Sequence, residues 1–552
     1  MRRRVEGGGL AVQAIAGTHS VFLAFDVDSS LRPNLLGFSL FREDHREQER
    51  YWLSGFKTFR SVVPFPDPAT KYSTRDHPLQ TFQWGDFSAK PGYRYTYLVV
   101  PRFGEPKNLE DRPGVEASIE VTTTDPERGK HGVYCNRGVA ASQAYANRFG
   151  FPPDKLPPDR RVEALGWLSR GLMERILAFI GRASSGAFAL RAAVYEFTQR
   201  DVLAAFAEAS RAGADVRILF HADGDQGIRN GAAIADAGIA DLTVERHTSA
   251  IAHNKFMVLC ERDSTGLAPR AVWTGSTNFT QGAIFGHSNV GHEIRDPAIA
   301  ARYLALWDRL SGNPSTDELR DWVTDNDPFP PPGSAAVATV FSPRHGLAPL
   351  RSYADGFRDV ASAAMITCAF GLPAPFEDAL ANALPAVRYV LLDRADDHQD
   401  AWSADPAVFP AVGSQGGPDV LTRWAKEQLT GYNPMVKFIH TKVLLLDPLS
   451  AHPTVITGSA NFSENSTSAN DENMLVIRDD LRVSDIYFTE FARMFNHMYA
   501  RYWARRLQET SPDPDEHSFL RETPDWQDPY FQSGNPKQHQ RLLFATKVEG
   551  NA

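Results

Sequence analysis

Two stretches of this sequence decide its fold: His253-Asn254-Lys255-Phe256-Met257-Val258-Leu259 and His440-Thr441-Lys442-Val443-Leu444-Leu445-Leu446-Asp447. Each stretch is followed by a Gly-Ser-x-Asn-Phe element, at residues 275–279 and 458–462. These two elements lie 183 residues apart (458 − 275), and the Ile-Arg-Asp elements at Ile294 and Ile477 have the same offset (477 − 294). A chain that repeats the same elements in the same order at one spacing is predicted to contain two similar lobes.

In each copy, the His-x-Lys pair is suited to holding an anion. Side chains alternate along a strand, so a His and a Lys separated by one residue face the same side. The Gly-Ser-x-Asn turn adds a hydroxyl, an amide and backbone N–H groups. Two facing copies would surround a tetrahedral anion with positive charge and fixed donors, and no metal is needed because the lysines supply the charge. The candidate site residues are His253, Lys255, Ser276, Asn278, His440, Lys442, Ser459 and Asn461.

Either element alone predicts only a strand or a turn, whereas their ordered duplication favours an active site. The pattern His-x-Lys-(x)4-Asp with a following Gly-Ser-x-Asn resembles the signature of the phospholipase D superfamily, over roughly residues 160–510. The second copy, which includes Asp447, matches the signature fully. The resemblance implies that one histidine forms a covalent phosphohistidine while the other protonates the leaving oxygen, and that water or an alcohol then resolves the intermediate.

The first copy departs from this signature because Cys260 stands at the position of the Asp. In the family that Asp tends to be structural, so the resemblance allows activity to survive its loss. We interpret Cys260 as a small buried apolar residue. Asp263 is a substitute for the missing Asp only if the loop is rearranged.

A second difference between the copies suggests a division of labour. Glu472 lies 11 residues after Asn461 (472 − 461), and Asn289 lies 11 residues after Asn278 (289 − 278). In nucleases of the resembled family, a Glu at this place accepts a hydrogen bond from the catalytic imidazole. A carboxylate partner raises the pKa of a histidine.

We therefore expect Glu472 to hold His440 protonated as the general acid. His253, with only a neutral amide partner, is expected to act as the nucleophile. The alternative role for Glu472 and Asn289 is capping of a turn. Two further histidines, His287 and His292, either line the site or lie in solvent-exposed loops.

Outside the repeat, the chain is predicted to have an α/β fold: two similar phospholipase D-type α-β-α lobes preceded by an all-β sandwich. Strand-like runs at residues 21–25, 36–41, 93–100 and 115–122 predict the sandwich, and residues 82–97 resemble fibronectin type III or immunoglobulin-like modules. The alternation of strands with a helix at 201–212, and again with one at 376–383, predicts βαβ units in both lobes. Helices are also expected at 163–180 and 483–508. The expected segments are 1–125, 126–327, 334–510 and a tail at 511–552, with a proline-rich linker at 328–333.

The composition is that of an ordinary folded protein, with 42% hydrophobic and 23% charged residues among 552. The net charge of −9 lacks the basic balance of proteins that coat duplex nucleic acid. Cys135, Cys260 and Cys368 suggest neither a disulfide framework nor a zinc site. Because no apolar run of about eighteen residues occurs and no convincing signal peptide follows Arg2-Arg3-Arg4, we expect no membrane span and a cytoplasmic protein by default. Export without a cleavable signal is the alternative.

Three function classes remain open on the sequence. We favour a phospholipase D acting on phospholipid head groups, with no cofactor, working as a monomer, and with loops bearing Trp273 or Phe285 as candidates for peripheral membrane contact. The runner-up is a nuclease of the same superfamily, because residues 458–463 and 470–473 resemble the nuclease branch. The third is a non-catalytic binding protein, for which Cys260 is the main support.

Overall fold

The computed structural model describes residues 1–67, 70–138, 142–248, 250–264, 266–330, 335–383, 386–413, 439–510 and 519–545. Part of the predicted linker at 328–333 and the first residues of the predicted tail lie outside these described residues. Within the described part, no helix is both long enough and apolar enough to cross a membrane.

The N-terminal part is all β, as predicted. Its strands are β1 (Arg2–Gly7), β2 (Leu10–Ala16), β3 (Val21–Val27), β4 (Leu35–Asp44), β5 (Glu49–Trp52), β6 (Ser54–Gly55), β7 (Thr58–Phe59), β8 (Tyr72–Ser73), β9 (Gln83–Asp86), β10 (Arg94–Glu105), β11 (Asn108–Glu110) and β12 (Ala117–Thr122). One antiparallel sheet has the order β1-β2-β3-β9, and the other has the order β11-β10-β4-β5 with β12 paired to β10. Alternate residues of β10, such as Tyr95, Tyr97 and Val99, are buried in the core between the sheets because side chains alternate along a strand.

The first lobe contains a seven-stranded sheet with the order β13-β19-β18-β17-β14-β15-β16. Its strands are β13 (His131–Cys135), β14 (Phe188–Val194), β15 (Asp215–His221), β16 (Thr243–Arg246), β17 (Lys255–Asp263), β18 (Gly266–Gly275) and β19 (Val290–Ile294). The strands β14, β15 and β16 are parallel, and the others pair antiparallel. The helix Arg200–Arg211 connects β14 to β15, so the predicted βαβ unit is confirmed.

The second lobe repeats this sheet with the order β20-β26-β25-β24-β21-β22-β23. Its strands are β20 (Val337–Ser342), β21 (Ala363–Cys368), β22 (Val387–Leu392), β23 (Val408–Val412), β24 (Val443–Leu446), β25 (Thr454–Gly458) and β26 (Glu472–Arg478). Each strand corresponds to one in the first lobe at the same place in both the chain and the sheet. The predicted pair of similar lobes is therefore confirmed, and we keep the four predicted segment boundaries as a proposal.

Helices cover both sheets and join the lobes. They are Ser142–Phe149, Pro158–Ser169, Leu172–Gly181, Arg200–Arg211, Gly224–Ala237, Pro297–Ser311, Thr316–Asn326, Ala348–Asp359, Ala374–Ala381, Gln399–Trp402, Glu464–Ser468, Leu481–Thr510, Asp528–Phe531 and Pro536–Ala545. The helices Pro297–Ser311 and Leu481–Thr510 follow corresponding strands, β19 and β26. Both contribute to one continuous core with the two large sheets, and this core fixes the lobes against each other.

Two expectations need correction or completion. The helix predicted at 163–180 is broken into two because Arg170 and Gly171 have positive φ values of 50° and 93°. The tail packs on the N-terminal sandwich: Trp526 and Tyr530 are buried in its core, and β27 (Phe519–Leu520) pairs with β7. The described part of the tail is therefore attached to the N-terminal sandwich.

Candidate active site

The two lobes exchange backbone hydrogen bonds where each His-x-Lys element begins. The N–H of His253 in the first lobe donates to the carbonyl of Asp471 in the second, at 3.0 Å. The N–H of His440 in the second lobe donates to the carbonyl of Ser288 in the first, at 3.2 Å. Asp471 is followed by Glu472, so His253 lies beside Glu472. Ser288 is followed by Asn289, so His440 lies beside Asn289.

His253 is paired with the carboxylate of Glu472. Its Nδ1 lies 2.9 Å from each carboxylate oxygen of Glu472, and both residues are buried. The hydroxyl of Ser459 donates to the same carboxylate at 2.6 Å. Because a carboxylate only accepts, Nδ1 carries the proton, and Nε2 is the nitrogen that can reach a phosphorus atom.

His440 is paired with the side-chain amide of Asn289. Its Nδ1 lies 2.9 Å from Oδ1 of Asn289, which also accepts from the hydroxyl of Ser276 at 2.8 Å. The amide nitrogen of Asn289 donates to the carbonyl of Ala283, so the amide orientation is consistent with an acceptor facing the imidazole.

The expected pairing of Glu472 with His440 is therefore wrong. Sequence reasoning placed each histidine with the Glu or Asn of its own lobe, whereas the inter-lobe hydrogen bonds exchange these partners. Both side chains contact an imidazole, and Asn289 also donates to the backbone carbonyl of Ala283.

Burial lowers the pKa of both histidines. The pKa of His253 falls to about 4, because burial outweighs the opposing charge of Glu472. The pKa of His440 lies well below its ordinary value because of burial, to which the charge of Lys442 adds. The structure thus gives no support for a protonated His440 in the absence of an anion, and a bound phosphodiester would raise both pKa values.

The two lysines lie symmetrically in the site. Lys255 Nζ donates to the carbonyl of His253 at 2.6 Å, and Lys442 Nζ donates to the carbonyl of His440 at 2.7 Å. Burial lowers the pKa of Lys255 to about 8, with Glu472 and Glu196 opposing the effect. Burial also lowers the pKa of Lys442 well below its ordinary value. Both ammonium groups are buried, and a negative charge stabilises a buried ammonium group, so this site is suited to holding a phosphate.

Asn278 and Asn461 complete the two half-sites that the sequence predicts. Asn278 is buried and Asn461 half-buried, and the Oδ1 atom of each is buried without a hydrogen-bond partner among the described residues. The structure thus brings together the histidines and lysines, and it connects Asn278 to them through Glu196. Ser276 and Ser459 are bound to the groups that hold the histidines. The serines act as supports for Asn289 and Glu472.

Asp447 does not reach the site, because it lies at the opposite end of β24 from Lys442. It has a positive φ of 45°, and its carboxylate accepts from the backbone N–H groups of Ala361, Ser362 and Ala363. Cys260, at the same place in the first lobe, is fully buried in β17, opposite Ala189 in β14. The interpretation of Cys260 as a small buried residue is confirmed.

Four other sequence expectations are also decided. His287 and His292 are both buried, so solvent-exposed loops are excluded for them. The ring of His287 lies 4.7 Å from that of His440, whereas His292 lies between Tyr487 and His131. Trp273 and Phe285, proposed for membrane contact, are 1% and 4% exposed, so that expectation is wrong.

Sequence reasoning missed Tyr195, Glu196 and the pair Arg246–Asp471. The ring of Tyr195 lies 5.0 Å from that of His253, and Glu196 accepts a 2.6 Å hydrogen bond from Asn278. The buried ion pair of Arg246 with Asp471, at 2.8 Å, fixes the backbone that carries Glu472. These residues belong to no repeated motif. The one sequence feature that could have identified them is their position at or after the ends of β14 and β16, which lie beside the site.

One group of metal-type ligands is present among the described residues away from the site. Oxygen or nitrogen atoms of Glu377, Asp396 and His398 lie within 4.8 Å of one another, and His398 is exposed. No predicted site residue belongs to this group.

The family described as "Cardiolipin synthase, PLD-like domain" matches residues 176–310 and 389–498, one segment in each lobe. These two segments contain both His-x-Lys pairs and both Gly-Ser-x-Asn elements. The search of curated proteins by sequence gives no significant match.

Several solved structures resemble parts of the fold. Phosphatidylserine synthase from Haemophilus influenzae is 11% identical, with 64% of this chain and 94% of that chain covered and a TM-score of 0.42. Yeast tyrosyl-DNA phosphodiesterase is 12% identical, with coverages of 56% and 88% and a TM-score of 0.31. The Salmonella typhimurium phospholipase D family member Nuc is 27% identical, with coverages of 26% and 87% and a TM-score of 0.21.

Proposed function

Because the chain belongs to the phospholipase D superfamily, we propose that it hydrolyses phosphodiesters through a phosphohistidine intermediate. The observation that carries this proposal is the exchange of partners between the lobes, which gives two chemically different histidines in one site. His253 is paired with a carboxylate and His440 with a neutral amide. Two different partners suit two different tasks.

His253 is the nucleophile in this proposal. Glu472 keeps the proton of His253 on Nδ1, which leaves the lone pair of Nε2 for phosphorus. A bond forms between Nε2 and phosphorus while the bond from phosphorus to the leaving oxygen breaks. The imidazole then becomes cationic, and the carboxylate of Glu472 stabilises that charge.

His440 is the general acid, although not for the reason that its sequence position suggested. The incoming phosphodiester supplies the negative charge that favours protonation of His440, and Asn289 orients its ring without adding charge. An imidazolium without a carboxylate partner releases its proton readily to the leaving oxygen. In the second step, neutral His440 removes a proton from water, the water oxygen bonds to phosphorus, and the phosphorus–nitrogen bond breaks.

Phosphate is held by the charges and amides of both lobes. Lys255 and Lys442 neutralise the non-bridging oxygens, and Asn278 and Asn461 supply side-chain amides. These groups use no metal ion in the proposed steps. The support is that these groups stand at duplicated positions, with both lysines and Asn278 buried and Asn461 half-buried.

Phospholipid is the favoured substrate because the site is rich in carboxylates. The charges of Glu472, Glu196 and Asp393 all act on Lys442, so three carboxylates accompany two lysines. A polyanion such as nucleic acid would meet repulsion there, whereas a diester with a zwitterionic head group would not. A nuclease remains the second candidate because residues 458–463 and 470–473 resemble the nuclease branch.

The experiment uses bis(p-nitrophenyl) phosphate and phosphatidylcholine vesicles with the wild type, His253→Asn and His440→Asn. We expect the wild type to hydrolyse both substrates and His253→Asn to hydrolyse neither. His440→Asn should release a burst of p-nitrophenol, which needs no protonation, and then accumulate phosphoenzyme. Isolation of a phosphorylated peptide that contains His440, and not His253, would contradict the assigned roles. If the wild type hydrolyses neither substrate, the protein would instead be a non-catalytic binding protein.

A further inference from the structure

Glu196 is rigidly held at the edge of the active site. It lies two residues beyond the end of β14, and its carbonyl accepts from the N–H of Phe279 at 3.0 Å. The buried side chain of Asn230 accepts from the N–H of Phe197 and donates to the carbonyl of Tyr195. Backbone contacts on both sides therefore fix the position of this glutamate before any substrate binds.

The carboxylate of Glu196 contacts the phosphate-binding machinery. Its Oε2 accepts from Nδ2 of Asn278 at 2.6 Å, and its negative charge acts on both Lys255 and Lys442. The residue is half-buried, so part of it remains accessible beside Asn278. A fixed negative charge at this place works against binding an anion, unless a positive group accompanies that anion.

The second lobe has no carboxylate at the position equivalent to that of Glu196. Leu190 pairs with Leu259 in the first lobe, and Ala364 pairs with Leu446 at the corresponding place in the second. By this register the counterpart of Glu196 is Phe370, whose side chain is 61% exposed. Glu196 is thus not part of the duplicated phosphate-holding set, and a function specific to one side of the substrate is the simplest reason for its presence.

Tyr195 adds an aromatic surface next to this charge. Its half-buried ring lies 5.0 Å from the ring of His253, and the Nζ atom of Lys255 lies 5.3 Å from its centroid. Aromatic rings attract cations, including ammonium groups of ligands. A carboxylate and a tyrosine in adjacent positions are chemically suited to receive an ammonium group.

We propose that Glu196 is a specificity-determining residue that receives, with Tyr195, an ammonium group carried by one alcohol of the phosphodiester. This inference rests on the proposed phosphodiesterase function and adds a residue that selects substrates by charge. Diesters bearing choline or ethanolamine would be favoured over diesters of similar size whose alcohol carries no charge. Diesters with additional negative charge would be rejected.

The test compares glycerophosphocholine with glycerophosphoglycerol, two soluble diesters that differ in the ammonium group. We expect the wild type to prefer the choline diester, and Glu196→Gln to reduce the ratio of the two kcat/KM values by roughly ten- to hundredfold, as expected for loss of a charge-assisted contact. Glutamine retains an oxygen that can accept from Asn278, so the change removes charge and preserves the contact. The control is Asp201→Asn, which neutralises an exposed carboxylate on the next helix and should leave the ratio unchanged.

The outcomes separate this inference from the proposed function. Turnover of bis(p-nitrophenyl) phosphate by Glu196→Gln shows an intact catalytic site, whatever the head-group preference. If Glu196→Gln leaves the ratio of the two kcat/KM values unchanged, the inference is overturned, even where both values fall by the same factor. Glu196 would then be a positioning residue for Asn278. Glycerophosphocholine and phosphatidylcholine vesicles, assayed in parallel, distinguish a soluble diester from a lipid as the source of the ammonium group.

Discussion

At the residue scale, the partner of each histidine is the main chemical result. Glu472 and Ser459 come from the second lobe and hold His253 of the first. Asn289 comes from the first lobe and holds His440 of the second. A carboxylate and an amide in equivalent positions give the two imidazoles different proton affinities, although both are buried.

The glutamate should be essential for a nucleophilic His253. Glu472→Gln keeps an acceptor for Nδ1 but removes the charge that stabilises the phosphorylated imidazole. We expect kcat/KM on bis(p-nitrophenyl) phosphate to fall by about 10²- to 10⁴-fold, as measured by steady-state kinetics. Asn289→Ala is the matched change in the other half-site. It should lower kcat/KM much less, because the p-nitrophenolate leaving group needs no protonation by His440. The opposite ranking would assign the nucleophile to His440.

At the element scale, the two His-x-Lys strands end differently. β17 continues through Cys260 to Asp263, whereas β24 stops at Leu446 and Asp447 turns the chain with a positive φ. The Asp447 carboxylate accepts three backbone N–H groups at the start of β21. The Asp of the signature, Asp447, therefore ends the strand β24 in this protein. In the first lobe β17 continues past the equivalent position, so no Asp is needed there.

Removing this carboxylate should affect stability, with little effect on the chemistry. Asp447→Ala removes the partner of the half-buried N–H of Ser362 and the buried N–H of Ala363, so we expect a loss of roughly 1–3 kcal/mol in the free energy of unfolding. Urea unfolding measures this loss, and kcat should be nearly unchanged where the protein is folded. Cys260→Ala is the matched change and should cost less, because no hydrogen bond is lost. A stable Asp447→Ala variant without activity would instead place Asp447 in the reaction.

At the scale of the whole molecule, the long helix Leu481–Thr510 joins three parts of the chain. Its Glu490 binds Arg170, at the break between two helices of the first lobe, and accepts from Ser20 of the sandwich at 3.2 Å. Arg493 on the same helix also binds Glu490, at 2.8 Å. These buried groups couple the sandwich and the first lobe to the helix that follows β26.

This junction predicts acid sensitivity. Although burial raises the pKa of Glu490, the charges of Arg170 and Arg493 outweigh burial and lower it from 4.5 to about 2. A depressed pKa contributes stability that is complete above pH 4.5 and is lost as the pH falls toward 2. We expect Glu490→Gln to lower the free energy of unfolding by roughly 3–5 kcal/mol at pH 7, with the difference from wild type shrinking below pH 4.5.

Denaturant midpoints at pH 7, 5 and 3 measure this difference. The exposed Glu208→Gln is the control and should show no such dependence. A difference between wild type and Glu490→Gln that is independent of pH would show that the charge of Glu490 is not what stabilises the junction.

The sequence by itself determined the two lobes, the all-β N-terminal part and the set of histidines, lysines and asparagines in the site. These features depend on local periodicity and on a repeated motif, both of which are visible along the chain. Only the tertiary structure decided that Glu472 serves His253, that residues 163–180 form two helices, and that Glu196 stands beside Asn278. Each of these depends on contacts between segments far apart in sequence, such as the backbone bonds of His253 with Asp471 and of His440 with Ser288. A repeated motif specifies what each lobe contributes, but the packing of one lobe against the other decides which side chains meet.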